Sequence, residues 1–429
     1  MFINKFKVKE AMAQKGIKNQ TELAKLMGIS KNQLSLILSG RFNPIKSNVQ
    51  RLCEILEVSA LEIFEEEKSK CEQLTLKLVD NKSTYKIPKV KYQFDSIKVL
   101  ELFAGAGGLA LGLEKAGLEP VALVEIDKYA CETLKKNRPN WNVVNKDVRD
   151  VDFSIYKGVQ VVTGGFPCQA FSYAGKKLGF EDTRGTLFYE FARCIKETKP
   201  LLFMAENVRG LITHNKGKTL QTILEIFRDL GYDVQWRLLN AVNYSVPQKR
   251  ERVIIVGTLP GIHFEYPEED KEIKVLRDAL KDVPKSEGVQ YSAAKKRVLD
   301  LVHPGGCWRD LPLEIQKSYM GKSFYSGGGR TGMARRLSWD EPCLTLTCSP
   351  SQKQTERCHP EETRPFTVRE YARIQTFPDD WEFVGGISEK YKQIGNAVPV
   401  TFAYRLGTQI VKALEDVKAD NELGMLKII

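Results

Sequence analysis

Several features typical of other protein classes are missing from this 429-residue sequence. No apolar run approaches the roughly 18–20 residues that a membrane span requires, and no signal peptide opens the chain. The nine cysteines are odd in number and have no paired spacing, so they do not resemble a disulfide framework. These absences favour a cytoplasmic protein, and the length leaves room for two or three domains.

The chain has a net positive charge. There are 65 Lys and Arg residues against 54 Asp and Glu residues, a formal net charge of +11. An excess of basic residues suits a polyanionic partner such as nucleic acid. The composition therefore supports nucleic-acid binding without establishing it.

A strand, a glycine-rich turn and a helix follow one another from Val99. Val99 to Phe103 is typical of a buried strand, Ala104 to Leu109 holds three glycines, and Ala110 to Ala116 has a helical pattern. In α/β folds such a turn brings backbone N–H groups against a nucleotide-like ligand. No Gly-Lys-Ser/Thr follows the turn, which argues against a phosphate-binding P-loop.

Acidic residues follow the next two predicted strands. Pro120 to Val124 ends in Glu125-Ile126-Asp127, about twenty residues after the turn, a spacing that suits hydrogen bonds to ribose hydroxyls. A third strand is predicted to end at Asp147-Val148. Together with the turn, these acids indicate an adenosine-bearing cofactor.

Cys168 lies where an exposed nucleophile would be expected. The apolar run Val159 to Thr163 predicts a buried strand, and Gly164-Gly165-Phe166 leads from it into Pro167-Cys168-Gln169. Most free cysteines are simply small buried apolar residues. A cysteine that ends a strand and precedes a glycine-bearing loop is instead placed for nucleophilic attack.

Charged residues follow two later predicted strands. Leu201 to Ala205 leads into Glu206-Asn207-Val208, which puts a candidate general acid near the Cys168 strand end. Arg250 and Arg252, at i and i+2 before the strand Val253 to Val256, share one face and suit an anionic or carbonyl-rich ligand.

Taken together, these motifs resemble those of the DNA (cytosine-5)-methyltransferases, in the same order from about Ile97 to the C-terminal helix. No departure within them suggests an inactive enzyme. The motifs that carry the resemblance are Phe103-x-Gly105-x-Gly107-Gly108, Glu125-x-Asp127, Asp147, Pro167-Cys168-Gln169, Arg184-Gly185-x-Leu187-Phe188, Glu206-Asn207-Val208, Gln248-x-Arg250-x-Arg252, Arg369-Glu370 and Gly395-Asn396-Ala397-Val398-Pro399.

The resemblance implies four catalytic residues. Cys168 would add to C6 of cytosine as a thiolate, which makes C5 nucleophilic toward the methyl group of S-adenosyl-L-methionine. Glu206 would bond N3 and the exocyclic amine, Arg252 would hold O2, and Arg250 would support the positive field of the site. The implied activity is that of a DNA (cytosine-5-)-methyltransferase.

The resemblance also implies a pocket for S-adenosyl-L-methionine. Phe103 would pack on the adenine, Glu125 would bind the ribose and Asp147 would accept from the adenine amine. The full implied set is Phe103, Ala104, Gly105, Gly107, Gly108, Glu125, Ile126, Asp147, Val148, Pro167, Leu187, Asn396 and Val398.

Double-stranded DNA is the implied substrate, with the target cytosine flipped out of the stack. Phe171 to Asp182 would close over the flipped base, and the irregular interval before Thr367 would recognise the sequence through its Gly- and Arg-rich stretch Tyr319 to Arg336. The DNA contacts expected from the catalytic part are Gln169, Phe171, Ser172, Lys176, Lys177, Gln248, Arg330, Arg335 and Thr345.

The first 67 residues form a separate predicted unit. Phe6 to Lys15 and a helix from Thr21, its expected N-cap, precede the turn Gly28-Ile29-Ser30. This pattern resembles helix-turn-helix domains of the Cro/phage-repressor type, whose second helix enters the major groove. The groove-facing residues would be Lys31, Asn32, Gln33 and Ser35. Binding to operator DNA, with dimerisation through this domain, is the implied role, and a helical bundle used only for dimerisation or docking is the alternative.

The expected fold is α/β. It comprises a Rossmann-like methyltransferase domain that binds S-adenosylmethionine, a smaller irregular target-recognition domain and an N-terminal all-α helix-turn-helix domain. The predicted boundaries are 1–67 for the helix-turn-helix, 68–95 for a linker, 96–258 with 366–429 for the catalytic domain and 259–365 for target recognition. The catalytic part is expected to be monomeric.

Other functions remain open at this point. Cys343, Cys348, Cys358 and His359 match no zinc-binding spacing, so no metal is expected. An RNA cytosine methyltransferase, and a repressor with a degenerate enzyme half, are the alternatives. The long interval before Thr367 and the N-terminal domain favour DNA over RNA, and the complete motif set argues against a degenerate enzyme.

Overall fold

The chain divides into two compact units, Met1–Lys89 and Val90–Ile429. The structure, a computed structural model, describes residues 2–3, 5–17, 19–29, 34, 52, 55–56, 64–65, 94–167, 186–325 and 332–426. The predicted linker at 68–95 lies almost wholly outside them. No helix among the described residues is long and apolar enough to cross a membrane.

The described part of the first unit is mainly helical. Helix α1 spans Lys5–Gln14 and α2 spans Gln20–Leu26, and strand β1 (Phe2–Ile3) pairs antiparallel with β2 (Phe64–Glu65), an addition to the predicted all-α fold. Apolar residues spaced along the helices form its core: Val8, Ala11, Met12, Ile17, Leu23, Ala24, Met27, Leu34, Leu52 and Leu56.

The prediction that Thr21 caps α2 is wrong. The helix begins one residue earlier, at Gln20, and the Asn19 side chain accepts a hydrogen bond from the Glu22 N–H at 3.0 Å. Asparagine ranks above threonine as an N-cap, and the stronger residue stood two positions upstream.

The second unit contains the remaining strands and helices. In chain order they are β3 (Ile97–Leu102), α3 (Gly108–Lys115), β4 (Leu118–Glu125), α4 (Lys128–Asn137), β5 (Val143–Asn145), β6 (Val161–Gly164), α5 (Leu187–Thr198), β7 (Leu202–Val208), α6 (Gly210–Thr213), α7 (Lys218–Asp229), β8 (Asp233–Asn240), β9 (Gln248–Lys249), β10 (Glu251–Thr258), α8 (Leu276–Leu280), α9 (Ala293–Leu299), α10 (Leu313–Met320), β11 (Cys343–Leu344), α11 (Val368–Ile374), α12 (Ile387–Asn396) and α13 (Val400–Leu426).

Seven of these strands form one sheet in the order β5-β4-β3-β6-β7-β10-β8. The first five run parallel, and β10 lies antiparallel between β7 and β8. The apolar runs of β3, β6 and β7 suit strands covered by helices on both faces. On one face the core contains Phe191 and Phe227, from α5 and α7. On the other face it contains Phe402 and Leu406, from α13.

The strand ends agree closely with the sequence prediction, with one exception. The third predicted strand was expected to reach Asp147-Val148, but β5 ends at Asn145 and a short 3₁₀ helix spans Val148–Asp150. The Asp147 side chain accepts a hydrogen bond from the Arg149 N–H and so caps this helix, which draws the chain out of the strand.

The predicted recognition segment, 259–365, has its own small core. Tyr291, Leu299, Trp308, Met320 and Cys358 are buried in it. This segment joins the sheet domain through β11, which pairs in parallel with β9 just before the two arginines.

Candidate active site

Four of the predicted catalytic and cofactor residues that the structure describes lie at one edge of the sheet. Phe103 follows β3, Glu125 ends β4, Pro167 follows β6 and Glu206 lies near the end of β7. These four strands are parallel, so their carboxyl ends share an edge, where α/β folds bind ligands.

The turn after β3 has an unusual backbone. Phe103 and Gly105 have positive φ angles of 59° and 54°. A phenylalanine rarely adopts this conformation, and such strain clusters at functional sites. A Cβ at Gly105 would meet no atom within 4 Å, whereas one at Gly108 would lie 2.2 Å from the Val398 carbonyl oxygen. Gly105 therefore faces open space that a ligand could fill, while Gly108 is required by protein packing.

Glu125 is fixed by three backbone amides. One carboxylate oxygen accepts from the Gly105 N–H at 2.7 Å, and the other accepts from the N–H groups of Ile126 and Asp127 at 2.9 and 2.8 Å. The oxygen that accepts from Gly105 has a further lone pair for a ligand hydroxyl. Ile126 beside it is 64% exposed, an apolar surface at the mouth of the site.

Asp147 is half-buried and paired with Arg149. The two Arg149 side-chain hydrogen bonds, at 2.6 and 3.0 Å, hold the pKa of the Asp147 carboxyl below its ordinary value. The group therefore remains an ionised acceptor at neutral pH. With the open position at Gly105 and the acceptors of Glu125, this donor and acceptor set fits an adenosine-bearing ligand.

Glu206 and Arg252 form a mostly buried ion pair. Glu206 Oε1 lies 2.5 Å from Arg252 Nε, and their side chains are 14% and 11% exposed. A Cβ at Gly165 would lie 3.1 Å from Glu206 Oε2, so the glycine leaves room for the carboxylate. The neighbouring Asn207 donates to the Phe166 carbonyl at 2.8 Å. These contacts tie the end of β7 to the segment that leads into Cys168.

Arg250 acts mainly as a buried clamp. It donates to the carbonyl oxygens of Leu346, Gly395 and Asn396 at 3.3, 3.1 and 3.4 Å. Burial, and then the charge of Arg252, lowers the pKa of the Arg250 guanidinium. Its predicted contribution to the field of the site remains a prediction.

Gln248, which is predicted to contact DNA, is buried among protein groups. Its side chain is 0% exposed, donates to Gln375 Oε1 at 2.8 Å and accepts from the Leu346 N–H at 2.9 Å. One amide N–H and one lone pair of the amide oxygen are thus used within the protein, and the DNA contact expected of Gln248 stays a prediction. Thr345, also expected at the DNA, donates its hydroxyl to the Lys249 carbonyl at 2.7 Å.

Arg335 and Arg336, at the end of the Gly- and Arg-rich stretch, both bond protein groups. Arg336 is 4% exposed and donates to the carbonyl oxygens of Val302 and Leu299 at 2.7 and 2.8 Å, so protein carbonyls occupy its guanidinium. Arg335 donates to Gly305 and pairs with Glu341 at 3.1 Å. With 15% of its side chain exposed, Arg335 offers little surface to DNA.

The remaining predicted cofactor residues line the same edge or pack beneath it. Pro167 is exposed and Leu187, the first residue of α5, is half-buried, whereas Ala104, Gly107, Val148 and Val398 are buried. The Asn396 side chain is exposed and accepts from Cys348 Sγ at 2.9 Å. The predicted site residues that lie outside the described residues are Cys168, Gln169, Phe171, Ser172, Lys176, Lys177, Arg330, Lys31, Asn32, Gln33 and Ser35.

The sequence prediction missed the role of Glu101. This residue is 2% exposed in β3, beneath the turn, and burial raises the pKa of its carboxyl well above the ordinary value. It accepts a hydrogen bond from the Ala110 N–H in α3 and so helps to fix the turn. The signal was a single glutamate within the otherwise apolar run of β3.

Within the described residues, no group of three His, Cys, Asp or Glu side chains is placed to hold a metal ion. Cys343 and Cys358 are buried free thiols, and burial raises the pKa of the Cys343 thiol to about 12. A thiol with such a pKa is a poor nucleophile and a poor ligand at neutral pH.

Comparison with known proteins identifies relatives of both units. Residues 97–412 match the sequence profile described as C-5 cytosine-specific DNA methylase, and residues 7–69 match that of the Cro/C1-type HTH DNA-binding domain. The type II methyltransferase M.Sau96I of Staphylococcus aureus is 51% identical over 430 residues, covering 96% of this chain and 99% of that protein. The type II methyltransferase M.Eco47II of Escherichia coli is 64% identical over 332 residues, covering 74% of this chain and 80% of that protein.

Solved structures with the same fold are more distant in sequence. A prophage-encoded protein of E. coli matches with a TM-score of 0.55 at 24% identity, covering 75% of this chain and all of that one. The Entamoeba histolytica methyltransferase EhMeth matches with a TM-score of 0.52 at 14% identity, covering 75% of this chain and 99% of that one. The predicted Rossmann-like α/β class and both predicted family resemblances are confirmed.

Proposed function

The chain belongs to the C-5 cytosine-specific DNA methylase family and is an enzyme of that class, and we propose that it methylates a specific duplex site through Cys168, Glu206 and Arg252. The observation that carries this assignment is the Glu206–Arg252 pair, 2.5 Å apart beside Gly165. The pair lies at the strand edge where the backbone leads directly into Cys168.

Each group has a distinct task in the proposed reaction. The Cys168 thiolate forms a bond to C6 of the flipped cytosine, and the electron pair displaced from the C5–C6 bond makes C5 nucleophilic. Glu206 bonds N3 and the exocyclic amine, and stabilises the ring once N3 is protonated. Arg252 orients Glu206 and holds the O2 carbonyl. After C5 is methylated, the C5 proton passes to a water molecule, the electron pair left behind re-forms the C5–C6 double bond, and the C6–S bond breaks to regenerate the thiolate.

S-adenosyl-L-methionine, when bound, supplies a methyl group on a sulfonium, which is open to attack by a carbon nucleophile. Glu125 would accept from its ribose hydroxyls, and Asp147 from its adenine amine. Phe103 and Ile126 would pack on the adenine ring. The open position at Gly105 supports this placement, because a side chain there would occupy the space that the ligand needs.

We assign the protein to a type II restriction-modification system as its modification enzyme. Two relatives that are 51% and 64% identical carry the name type II methyltransferase. A modification enzyme of this kind must act at one DNA sequence only. Bisulfite sequencing of DNA from bacteria that express the protein should reveal 5-methylcytosine at a single sequence, and transfer to duplex DNA should far exceed transfer to tRNA.

The decisive experiment traps the covalent intermediate. Duplex DNA with 5-fluorocytosine at the target should capture the wild-type protein, because a fluorine at C5 cannot be lost as a proton is. Cys168→Ser should form no adduct while it still binds DNA and S-adenosyl-L-methionine. Cys348→Ser, at an exposed cysteine, is the matched control and should be trapped normally. An adduct of wild-type yield with Cys168→Ser would overturn the assignment.

We further propose that the helix-turn-helix domain binds operator DNA upstream of its own gene and represses it as a dimer. The match of residues 7–69 to the Cro/C1-type domain favours this second activity. Such dimers bind two half-sites about one helical turn apart. Footprinting should show protection of a palindrome distinct from the methylated site, and alanine at Asn32 and Gln33 should weaken it by about 1–3 kcal/mol per lost bidentate contact. Binding no stronger than to random DNA at physiological salt would leave dimerisation or docking as the role.

A further inference from the structure

A buried carboxylate, Glu356, lies inside the recognition segment. Its side chain is 0% exposed. One oxygen, Oε2, accepts hydrogen bonds from the Tyr319 hydroxyl at 2.8 Å and from the Ala334 N–H at 2.6 Å. The other oxygen forms an ion pair with Lys295. We call these four residues the Glu356 cluster.

The Glu356 cluster joins the end of α10 to the residues that follow the glycine-rich stretch. Tyr319 is near the end of α10, and Ala334 follows the glycine-rich stretch. A second set of contacts holds the same two points. The Glu356 N–H donates to the Gly332 carbonyl at 3.1 Å, and Lys353 donates to the Tyr319 carbonyl and lies 4.6 Å over its ring.

Two exposed side chains follow Tyr319 along the chain. Tyr325 is 77% exposed, and Lys322 is exposed one turn earlier. An aromatic ring can stack on a base and a lysine can pair with a phosphate, so these two side chains suit contact with nucleic acid. The 3₁₀ helix Gly321–Phe324 connects them to the end of α10, where Tyr319 lies.

The carboxylate gives the Glu356 cluster a directional geometry that an apolar contact would not provide. Burying a charge is unfavourable before its partners are counted, and well-packed apolar residues often stabilise a protein as much as a buried ion pair does. Two donors that converge on one oxygen, however, fix the separation and register of their backbones. The chemistry of the junction therefore favours positioning over simple stability.

The cluster also connects to the active site through polar contacts. Arg357 donates to the Glu356 carbonyl at 2.6 Å and to the Thr345 carbonyl at 3.1 Å. Thr345 in turn donates to the carbonyl of Lys249, the residue before Arg250. These contacts connect the recognition segment to β9, the strand that directly precedes Arg250.

We propose that Glu356 is a positioning residue for DNA sequence discrimination: it holds Tyr319 and Ala334 in one register so that Lys322 and Tyr325 meet the target duplex. This inference rests on the proposed methylation of DNA. It assigns Glu356 no contact with the DNA and no part in the methyl transfer itself.

Tyr319→Phe in the full-length protein is the first test, because it removes one hydroxyl and keeps the ring. The substrates are a duplex with the methylated sequence and duplexes altered at one base pair of it. The KM for DNA should rise about ten-fold, and the preference for the correct duplex should fall about ten-fold, the worth of a charged hydrogen bond. The kcat on the correct duplex should stay within about two-fold, a split that a general loss of folding would not produce.

Tyr291→Phe is the matched control, since its buried hydroxyl does not bond the Glu356 carboxylate. Lys353→Met tests the same junction from an exposed position, and Lys317→Met on α10 controls for the lost charge. Lys353→Met should also reduce the preference for the correct duplex, and Lys317→Met should not.

An unchanged preference with both Tyr319→Phe and Lys353→Met would overturn the inference, as would equal effects of the variants and their controls. If Tyr319→Phe does not fold, the comparison of Lys353→Met with Lys317→Met decides alone. A wild-type protein that methylates no DNA would instead refute the proposed function, so the two failures are distinguishable.

Discussion

Gly165 provides the sharpest test of how the backbone shapes the active site. Alanine at this position would place its Cβ 3.1 Å from Glu206 Oε2, tighter than the 3.4–4 Å of ordinary contact. The carboxylate cannot simply withdraw, because Arg252 holds its other oxygen at 2.5 Å. We expect Glu206 to shift by a few tenths of an ångström at the expense of that ion pair.

The expected effect is on catalysis rather than on stability. A 1 Å misplacement of a reacting group costs on the order of a hundred-fold in rate, so a shift of a few tenths should lower kcat/KM about three- to ten-fold. Gly165 does not have a positive φ, so alanine should gain about 0.4–1 kcal/mol from reduced freedom of the unfolded chain, which offsets the tight contact. The thermal midpoint should therefore move by no more than about 2–4 °C.

The assay is methyl transfer to duplex DNA, measured beside thermal unfolding. Gly386→Ala is the matched control, because its Cβ would meet no atom within 4 Å and its φ is −67°. It should behave as wild type in both measurements. Wild-type kcat/KM for Gly165→Ala, or a loss of activity that only follows a loss of stability, would refute the reasoning.

Two further predictions concern domain independence and pH. A truncated protein that begins at Tyr92 should fold and keep sequence-specific methylation, because Val90–Ile429 is a compact unit; loss of all activity would place the boundary elsewhere. Burial raises the pKa of Glu370, but the Arg364 hydrogen bonds at 2.7 and 2.9 Å and the Thr367 N–H outweigh it and leave the pKa below its ordinary value. The ionised Glu370 should therefore stabilise the protein above about pH 4.3, and this stabilisation should be lost as the pH falls through the lowered pKa. The unfolding free energies of wild type and Glu370→Gln should converge below about pH 4. A difference that stays constant down to about pH 3 would contradict this.

The strand edge was predictable because its signals are local. Each of β3, β4, β6 and β7 is a mainly apolar run that ends in, or is soon followed by, a glycine or an acidic residue. Parallel strands must bring those residues to one edge of the sheet. The fate of Gln248 was not predictable in this way. It stands in the polar run before Arg250, but its burial depends on Gln375, 127 residues further along the chain.

The recognition segment shows the same limit. Arg336 stands in a stretch rich in glycine and arginine that is typical of DNA contact, yet main-chain carbonyls at Leu299, Val302 and His359 surround it. Local sequence cannot distinguish an arginine that satisfies buried carbonyls from one that faces a phosphate, because both need the same five donors. Glu356 was missed for the same reason, since its partners lie 22 and 37 residues away.

The Arg250 clamp cannot form until the C-terminal part of the chain has been synthesised. Arg250 is synthesised 145 residues before the Gly395 carbonyl that it binds. At about 5–20 residues per second this interval lasts roughly 7–30 s, during which the nascent sheet edge lacks the partner that closes it. The first unit has left the ribosome long before. A chain that terminates before Gly395 would thus carry the complete first unit without a finished catalytic centre.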